Sequence, residues 1–271
     1  MEQSRPGKVP PCAIEPGIRF LDRIGKSHHF YHLAVDGIML LGDSYKRAEE
    51  LTAALEKLDE QAGTSHSGDY DKSRQREYYM QRASWAKRET EEGFPVLHQQ
   101  AIVDLWSSLE VLFKDLVASM LENVRGATQL EPIAKMRIRL RDYESMSPRE
   151  RYEYLVDELE RELGAGLKQG IDRFEMLLAP FGLSGPIDEG AKKTLFELSN
   201  VRHVIVHRRA VADRKLTDAC PWLGLKLGDQ VRVTSGDYER YMLAAIEYWT
   251  ILQGRLQAYF SGSGDTEPRN G

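Results

Sequence analysis

Apolar residues along this chain recur at helical spacing for most of its length. The pattern starts near Ile18, with Phe20, Leu21, Ile24, Leu33, Val35, Ile38, Leu40 and Leu41 as buried positions, continuing to Leu51 and Leu55. Gly25, Gly37 and Gly42 are candidate breaks in that run. Gln61 to Asp71 is a loop by composition, and a polar, tyrosine-rich helix is expected from Ser73 to Thr90. Pro95 opens the strongest amphipathic segment. Ile102, Leu105, Leu109, Leu112, Phe113, Leu116, Val117, Met120 and Leu121 form one wide stripe, with Gly126 as its stop. Ser147-Pro148-Arg149-Glu150 places a serine cap, a first-turn proline and a glutamate as a capping box requires. Leu167 to Leu178 reads as a shorter helix ended by Pro180 and Gly182. Asp188 to Arg208 is another, with Leu195, Leu198, Val201 and Ile205 on its core face and Val204 as a further candidate for it. Leu223 to Thr234 alternates instead, with Gly228-Asp229 between two runs, which predicts a small β-hairpin. Asp237 is expected to cap a last helix through Phe260, with Tyr241, Leu243, Ala245, Ile246, Trp249, Ile251, Leu252 and Leu256 apolar.

The fold class that follows is all-α with one hairpin insertion. Residues 1–16, rich in proline, read as a flexible lead, and 17–92 as a helical extension. Residues 93–260 read as a helical bundle, and 261–271 as a disordered tail.

Charge narrows the choice of partner. The 271 residues carry a net charge of −5, so the chain as a whole is no general polyanion binder. A nucleic-acid site must be a local basic patch. Val201 to Lys215 is one, with Arg202, Arg208, Arg209, Arg214 and Lys215 against Asp213. The two cysteines, Cys12 and Cys220, do not suggest a structural disulfide, and a reducing compartment fits. Residues 1–16 lack a signal-peptide core, and the apolar run Gly37 to Leu41 is too short to span a bilayer. A cytoplasmic protein without a membrane partner is expected.

The densest chemistry is Arg202-His203-Val204-Ile205-Val206-His207, running into Arg208 and Arg209. RNA carries its own nucleophile, the 2′-hydroxyl. Cleavage needs a base to remove its proton and an acid to protonate the departing 5′-oxygen. A histidine ordinarily titrates near 6.5, so both of its forms are accessible in a cell. His207 is therefore the candidate for proton transfer, with His203 in support. Arg202 can grip phosphate oxygens and offset charge in the transition state. Arg208, Arg209, Arg214 and Lys215 are candidate phosphate contacts. No cofactor or metal is required. Five residues of ideal helix turn the direction by about 140°, so Arg202 and His207 flank a face, whereas His203 and His207 share one. Both reach one cleft if the helix loosens near its end or if a partner supplies the missing half.

Plainer readings stand beside these. Arg202 can pair with Glu110 or Glu197, and His207 can cap the negative end of its helix. Glu110 either orients Arg202 or is a rim glutamate. His203 and His207 have metal-ligand spacing, but only Asp218 or Cys220 lies near enough in sequence to be a third ligand. His28, His29 and His32 read as a surface or interface feature. Tyr78-Tyr79 and Tyr152/Tyr154 read as helix packing. No glycine-rich phosphate loop, serine-nucleophile motif or nucleotide-binding fingerprint is present.

The chain resembles the HEPN superfamily of helical bundles. The residues that carry the resemblance are Arg202-His203-Val204-Ile205-Val206-His207 near a helix end. The leucine-rich Leu105-Trp106-Ser107-Ser108-Leu109-Glu110, the stretch Phe174-Glu175 to Phe181-Gly182-Leu183, and a closing helix Tyr238 to Leu256 agree with it. It covers roughly residues 95–260. The resemblance implies a homodimer in which two motif helices meet and share one cleft. It also implies metal-independent cleavage of RNA to a 2′,3′-cyclic phosphate. A toxin or antiphage-defence role, with a possible antitoxin or defence-system partner, is implied by the resemblance alone. Some members have lost activity, so a catalytically silent module binding RNA or a protein is the alternative. A tyrosine used for modification in one subgroup is replaced here by Arg209.

Overall fold

The computed structural model describes residues 9–62 and 72–262. Nine α-helices are found among them: α1 (Pro11–Ala62), α2 (Lys72–Glu91), α3 (Pro95–Asn123), α4 (Leu140–Ser145), α5 (Pro148–Glu162), α6 (Asp172–Leu178), α7 (Glu189–Arg208), α8 (Arg214–Ala219) and α9 (Ser235–Gly262). Single turns of 3-10 helix punctuate the connections, and no strand forms among the described residues. The all-α expectation is met.

The described residues cluster into two compact units, one of 9–26 with 102–262, the other of 27–62 with 72–101. This division differs from a boundary at 92/93. The first turns of α1 belong with the larger unit, because Ala13, Gly17 and Phe20 pack into it. Gly17 lies against Trp249, and Ala13 and Phe20 are buried. Residues 11–16 are therefore helix rather than lead, with Pro16 inside it. Gly25 and Gly37 do not break α1, which stays helical for 52 residues. The loop proposed within Gln61 to Asp71 falls, from residue 63 onward, outside the described residues, as do 1–8 and the tail from 263. Ser261 and Gly262 still belong to α9.

The core of the larger unit is built on α3, whose predicted stripe from Ile102 to Leu121 is buried throughout. Stacked aromatic rings tie three helices together. Phe113 of α3 lies 4.3 Å from Phe174 of α6 and 5.1 Å from Tyr248 of α9, centroid to centroid. Such pairs add roughly 0.5–1.5 kcal/mol each beyond the area they bury. At the edge of this stack Glu175 accepts from Tyr248 Oη at 2.6 Å, Arg255 Nη1 at 2.8 Å and the Gly185 amide at 2.8 Å. Burial beside that carboxylate pushes the Tyr248 phenol well above its ordinary range.

Local signals explain most boundaries. Ser147 and Glu150 form the predicted capping box, with the Ser147 amide 2.8 Å from Glu150 Oε2. Asp188 Oδ2 accepts from the Gly190 and Ala191 amides and starts α7. α9 starts earlier than predicted. Thr234 and Asp237 cap it reciprocally, so Asp237 sits in its first turn. Tyr238, Tyr241, Ala244, Ala245, Tyr248 and Trp249 are buried, while Leu243 is exposed. α6 begins at Asp172 rather than Leu167. Gly170 adopts φ +60° and donates its amide to Ser199 Oγ at 3.2 Å, and Leu167 lies in solvent.

In the smaller unit, Tyr31 Oη lies 2.6 Å from Nε2 of the buried His98. His28 and His32 touch through their Nε2 atoms at 3.2 Å. Tyr78 is exposed beside Arg82, rather than packed between helices.

Candidate functional site

α7 carries the Arg202–His207 motif and packs against α9. Leu195, Leu198, Val201 and Val204 are its buried apolar residues in this stretch, with Glu197 and Asn200 buried among them. Val204, the further candidate for that face, is buried, and Ile205, expected on it, is only half-buried. The helix keeps α-geometry to Arg208. It does not loosen at its end, so the directions of Arg202 and His207 still diverge by about 140°.

The end of α7 has no glycine. Arg209 (φ 54°) and Ala210 (φ 57°) both take the left-handed conformation. This costs non-glycine residues roughly 1–2 kcal/mol each and persists only where surroundings hold it. Here they do. The Ala210 amide donates to Val204 O at 3.0 Å, and the Val231 amide donates to Ala210 O at 2.7 Å. The Ala212 amide donates to Asp229 O and the Gly228 amide to Ala212 O, at 2.8 and 2.9 Å. Thus 228–231 pairs with 210–212, through an isolated bridge between Val211 and Gln230. The hairpin expected within Leu223 to Thr234 does not form. Gly224 and Gly228 turn the chain with φ of 66° and 90°, Pro221–Leu223 is a 3-10 turn, and Leu227 is exposed.

This anchored turn gathers the motif and the basic segment. The His203 and His207 rings lie 4.8 Å apart. Burial lowers the pKa of His203, and the charges of Lys215, His207 and Arg202 add to that, against Asp213. His203 is therefore held toward its neutral form in a positive environment. Arg202 is half-buried, and its Nε is buried without a hydrogen-bond partner. A buried guanidinium N–H left unpaired is costly, and an anion brought to it recovers that cost. Arg208 Nε lies 3.6 Å from Asp213 Oδ2. Arg209 is exposed, with its backbone carbonyl 3.4 Å from Gln230 Nε2. Arg214 and Lys215 are exposed on α8, which Asp213 caps through the Leu216 amide at 2.9 Å.

Glu110 does not orient Arg202. It accepts from Arg173 Nη1 at 2.8 Å, and Arg173 also holds Glu160, so Glu110 belongs to a polar clamp joining α3, α5 and α6. Glu197 is not free for Arg202 either. Although it is 3 % exposed, it accepts from Trp222 Nε1 at 2.6 Å, Arg240 Nη2 at 2.5 Å and Tyr241 Oη at 2.7 Å. Their own burial, with the charge of Glu197 adding to it, raises the Tyr241 phenol far above the ordinary range and pushes the Cys220 thiol up to about 11. Sequence reading missed this network. The available signal was a glutamate interrupting the apolar row Leu195, Leu198, Val201. Among the described residues no group of three histidine, cysteine or acidic side chains is arranged to hold a metal ion.

Comparison with known proteins gives no match to any protein-family model, curated protein or solved structure.

Proposed function

We propose that this chain is a homodimeric, metal-independent endoribonuclease of HEPN type. Arg202 stabilises the transition state and His207 transfers protons. The observation that carries the reading is the unpartnered, buried Nε of Arg202 beside His203, in a setting made positive by Lys215. A phosphodiester is an anion suited to that setting.

The chemistry requires nothing beyond RNA and the two histidine protonation states. A base takes the 2′-hydroxyl proton, the 2′-oxygen bonds to phosphorus, and the bond from phosphorus to the 5′-oxygen breaks. An acid protonates that oxygen, leaving a 2′,3′-cyclic phosphate and a 5′-hydroxyl. At each of two sites on the dimer interface, His207 of one copy takes the 2′-hydroxyl proton and then passes it to the departing oxygen, Arg202 of the other copy grips the phosphate, and His203 positions its neighbour. Arg208, Arg209, Arg214 and Lys215 hold flanking phosphates. In this reading a second copy supplies the missing half of each site, since α7 stays helical through the motif and Arg202 and His207 of one chain point apart. Exposed Val206, Val211 and Leu227 near the motif provide apolar surface for that copy. A toxin or antiphage effector acting in the cytoplasm, with an antitoxin or defence-system partner, is the proposed setting.

The test is incubation of wild type and His207→Ala with mixed RNA in chelator, followed by analysis of the 3′ ends. Cyclic-phosphate ends from wild type alone are the expected result. Absence of cleavage by both overturns the nuclease reading in favour of a silent binding module.

A further inference from the structure

Trp222 is a large aromatic side chain that the fold holds by one edge while leaving the residue 42 % exposed. Its indole N–H is committed to Glu197, and Glu197 is itself fixed by Tyr241 and Arg240. Lys193 Nζ lies 4.4 Å from the ring centroid, and the Phe196 ring lies 6.5 Å away. A tryptophan placed only to fill the core would be buried, as Trp249 and Trp106 are.

Position adds meaning to this. Phe196, His203 and His207 are spaced by seven and four residues, so they fall on one side of α7. From Phe196 to His203 the rise is about 10.5 Å. The ring of Trp222 thus stands beside the face that carries the two histidines, a few nucleotides from them. The surrounding charge suits a polyanion. Residues 191–215 hold seven lysines and arginines and two acids, and one of the seven, Lys192, is paired with Asp172 at 3.0 Å. Of those acids, Glu197 is buried against Arg240 and Asp213 faces Arg208.

We infer that Trp222 is a stacking platform for an unpaired nucleobase of single-stranded RNA, with Lys193 moving from the ring to a neighbouring phosphate when the base arrives. This rests on the ribonuclease reading of the adjacent site and names the form of its substrate. Every base has a π-face, so such a platform selects single strands over duplex without strong sequence preference. The ammonium over the ring holds the place of the strand while the site is empty.

The experiment measures binding without cleavage. A labelled 2′-O-methyl oligonucleotide of mixed sequence lacks the nucleophile, and its affinity is read by anisotropy, single-stranded and as a duplex. Trp222→Leu keeps apolar bulk but has no π-face. It should weaken single-strand binding by about 5- to 100-fold and leave duplex binding unchanged. Trp222→Phe, which keeps a ring, should stay within about threefold of wild type. Melting curves verify that the variants fold. A 2-aminopurine base in the strand provides a second reading on wild type alone, since its emission should be quenched on binding. Equal single-strand affinity of wild type and Trp222→Leu, an equal loss on duplex, or no quenching overturns the platform. If the platform behaves as expected while natural RNA stays intact in the cleavage assay, only the nuclease reading falls. If RNA is cut and Trp222→Leu binds as wild type does, only the platform falls.

Discussion

Gly17 lies against the indole of Trp249, so close that a Cβ on residue 17 would stand 1.7 Å from Cζ2 of that ring. α1 therefore docks in the larger unit by backbone contact, at a point where no side chain fits. A mid-helix glycine costs about 1 kcal/mol against alanine, and here the approach to Trp249 explains it. Trp249 is fully buried, so it has no room to withdraw. Gly17→Ala should lower stability by about 1–3 kcal/mol despite its better helix propensity. Gly25 lies in the same helix with nothing near its missing Cβ, and Gly25→Ala should raise stability by about 0.5–1 kcal/mol. Urea denaturation of both variants checks this, and changes of the same sign would contradict the docking.

Arg209 separates folding from binding. Its φ of 54° suits glycine, and its exposed side chain lies beside the motif. Arg209→Gly should therefore stabilise the chain by about 0.5–1 kcal/mol. The same change removes one of the proposed phosphate contacts, so the salt slope of the proposed RNA binding should shrink by about one. Denaturation and salt titration measure the two effects. Reduced stability, or an unchanged salt slope, counts against the role given to this residue.

His203 makes stability depend on pH with a definite sign. Burial, with Lys215, His207 and Arg202, lowers its pKa in the folded chain, only partly opposed by Asp213. Just below the ordinary histidine value of about 6.5, the unfolded chain binds a proton that the folded chain refuses. Stability therefore falls as pH drops below that value and is fully kept above it. His203→Gln should remove this part of the decline. Urea midpoints across the acid range should converge at neutral pH and separate below it, with wild type losing more. Parallel curves would mean that the environment of His203 does not perturb it.

Much of this arrangement is legible in the sequence where one physical signal dominates. The α3 stripe and the start of α7 are such cases, set by apolar period and by the Asp188 cap. The failures share a cause. Leu223, Leu225 and Leu227 alternate like a strand, yet glycines at 224 and 228 turn the chain and 228–231 pairs with 210–212 instead. No local pattern announces that partner, because it depends on the left-handed pair Arg209–Ala210. Glu110 and Glu197 look alike as polar residues among leucines. Their partners, Arg173 in one case and Trp222, Arg240 and Tyr241 in the other, come from distant segments. The motif is readable, but the unpartnered Nε of Arg202 is a property of packing.

The two cysteines should react unequally. Cys220 is 1 % exposed and its thiol is pushed up to about 11 by burial and Glu197. Cys12 is only half-buried, with burial also raising its pKa. Because the thiolate is the reacting form, alkylation at pH 8 should label Cys12 slowly and Cys220 only after denaturation. Peptide mapping by mass spectrometry checks the order. Prompt labelling of Cys220 in the native chain would mean that the Glu197 network opens readily.

The continuity of α7 through Arg208 leads to a test of how the proposed site is assembled. If each site takes Arg202 from one copy and His207 from the other, the inactive variants Arg202→Ala and His207→Ala should complement. Random mixing makes half the dimers heterodimeric, and each of these holds one intact composite site of two. Recovery of about a quarter of wild-type cleavage is therefore expected after unfolding and refolding the mixture. Each variant alone should fall by about 10²-fold or more. If a single chain completes its own site, mixing restores nothing, although each variant is still inactive. No recovery from an efficiently exchanged mixture would place both side chains on one copy. The α7 helix would then have to distort on binding RNA, against the regular geometry it has to Arg208.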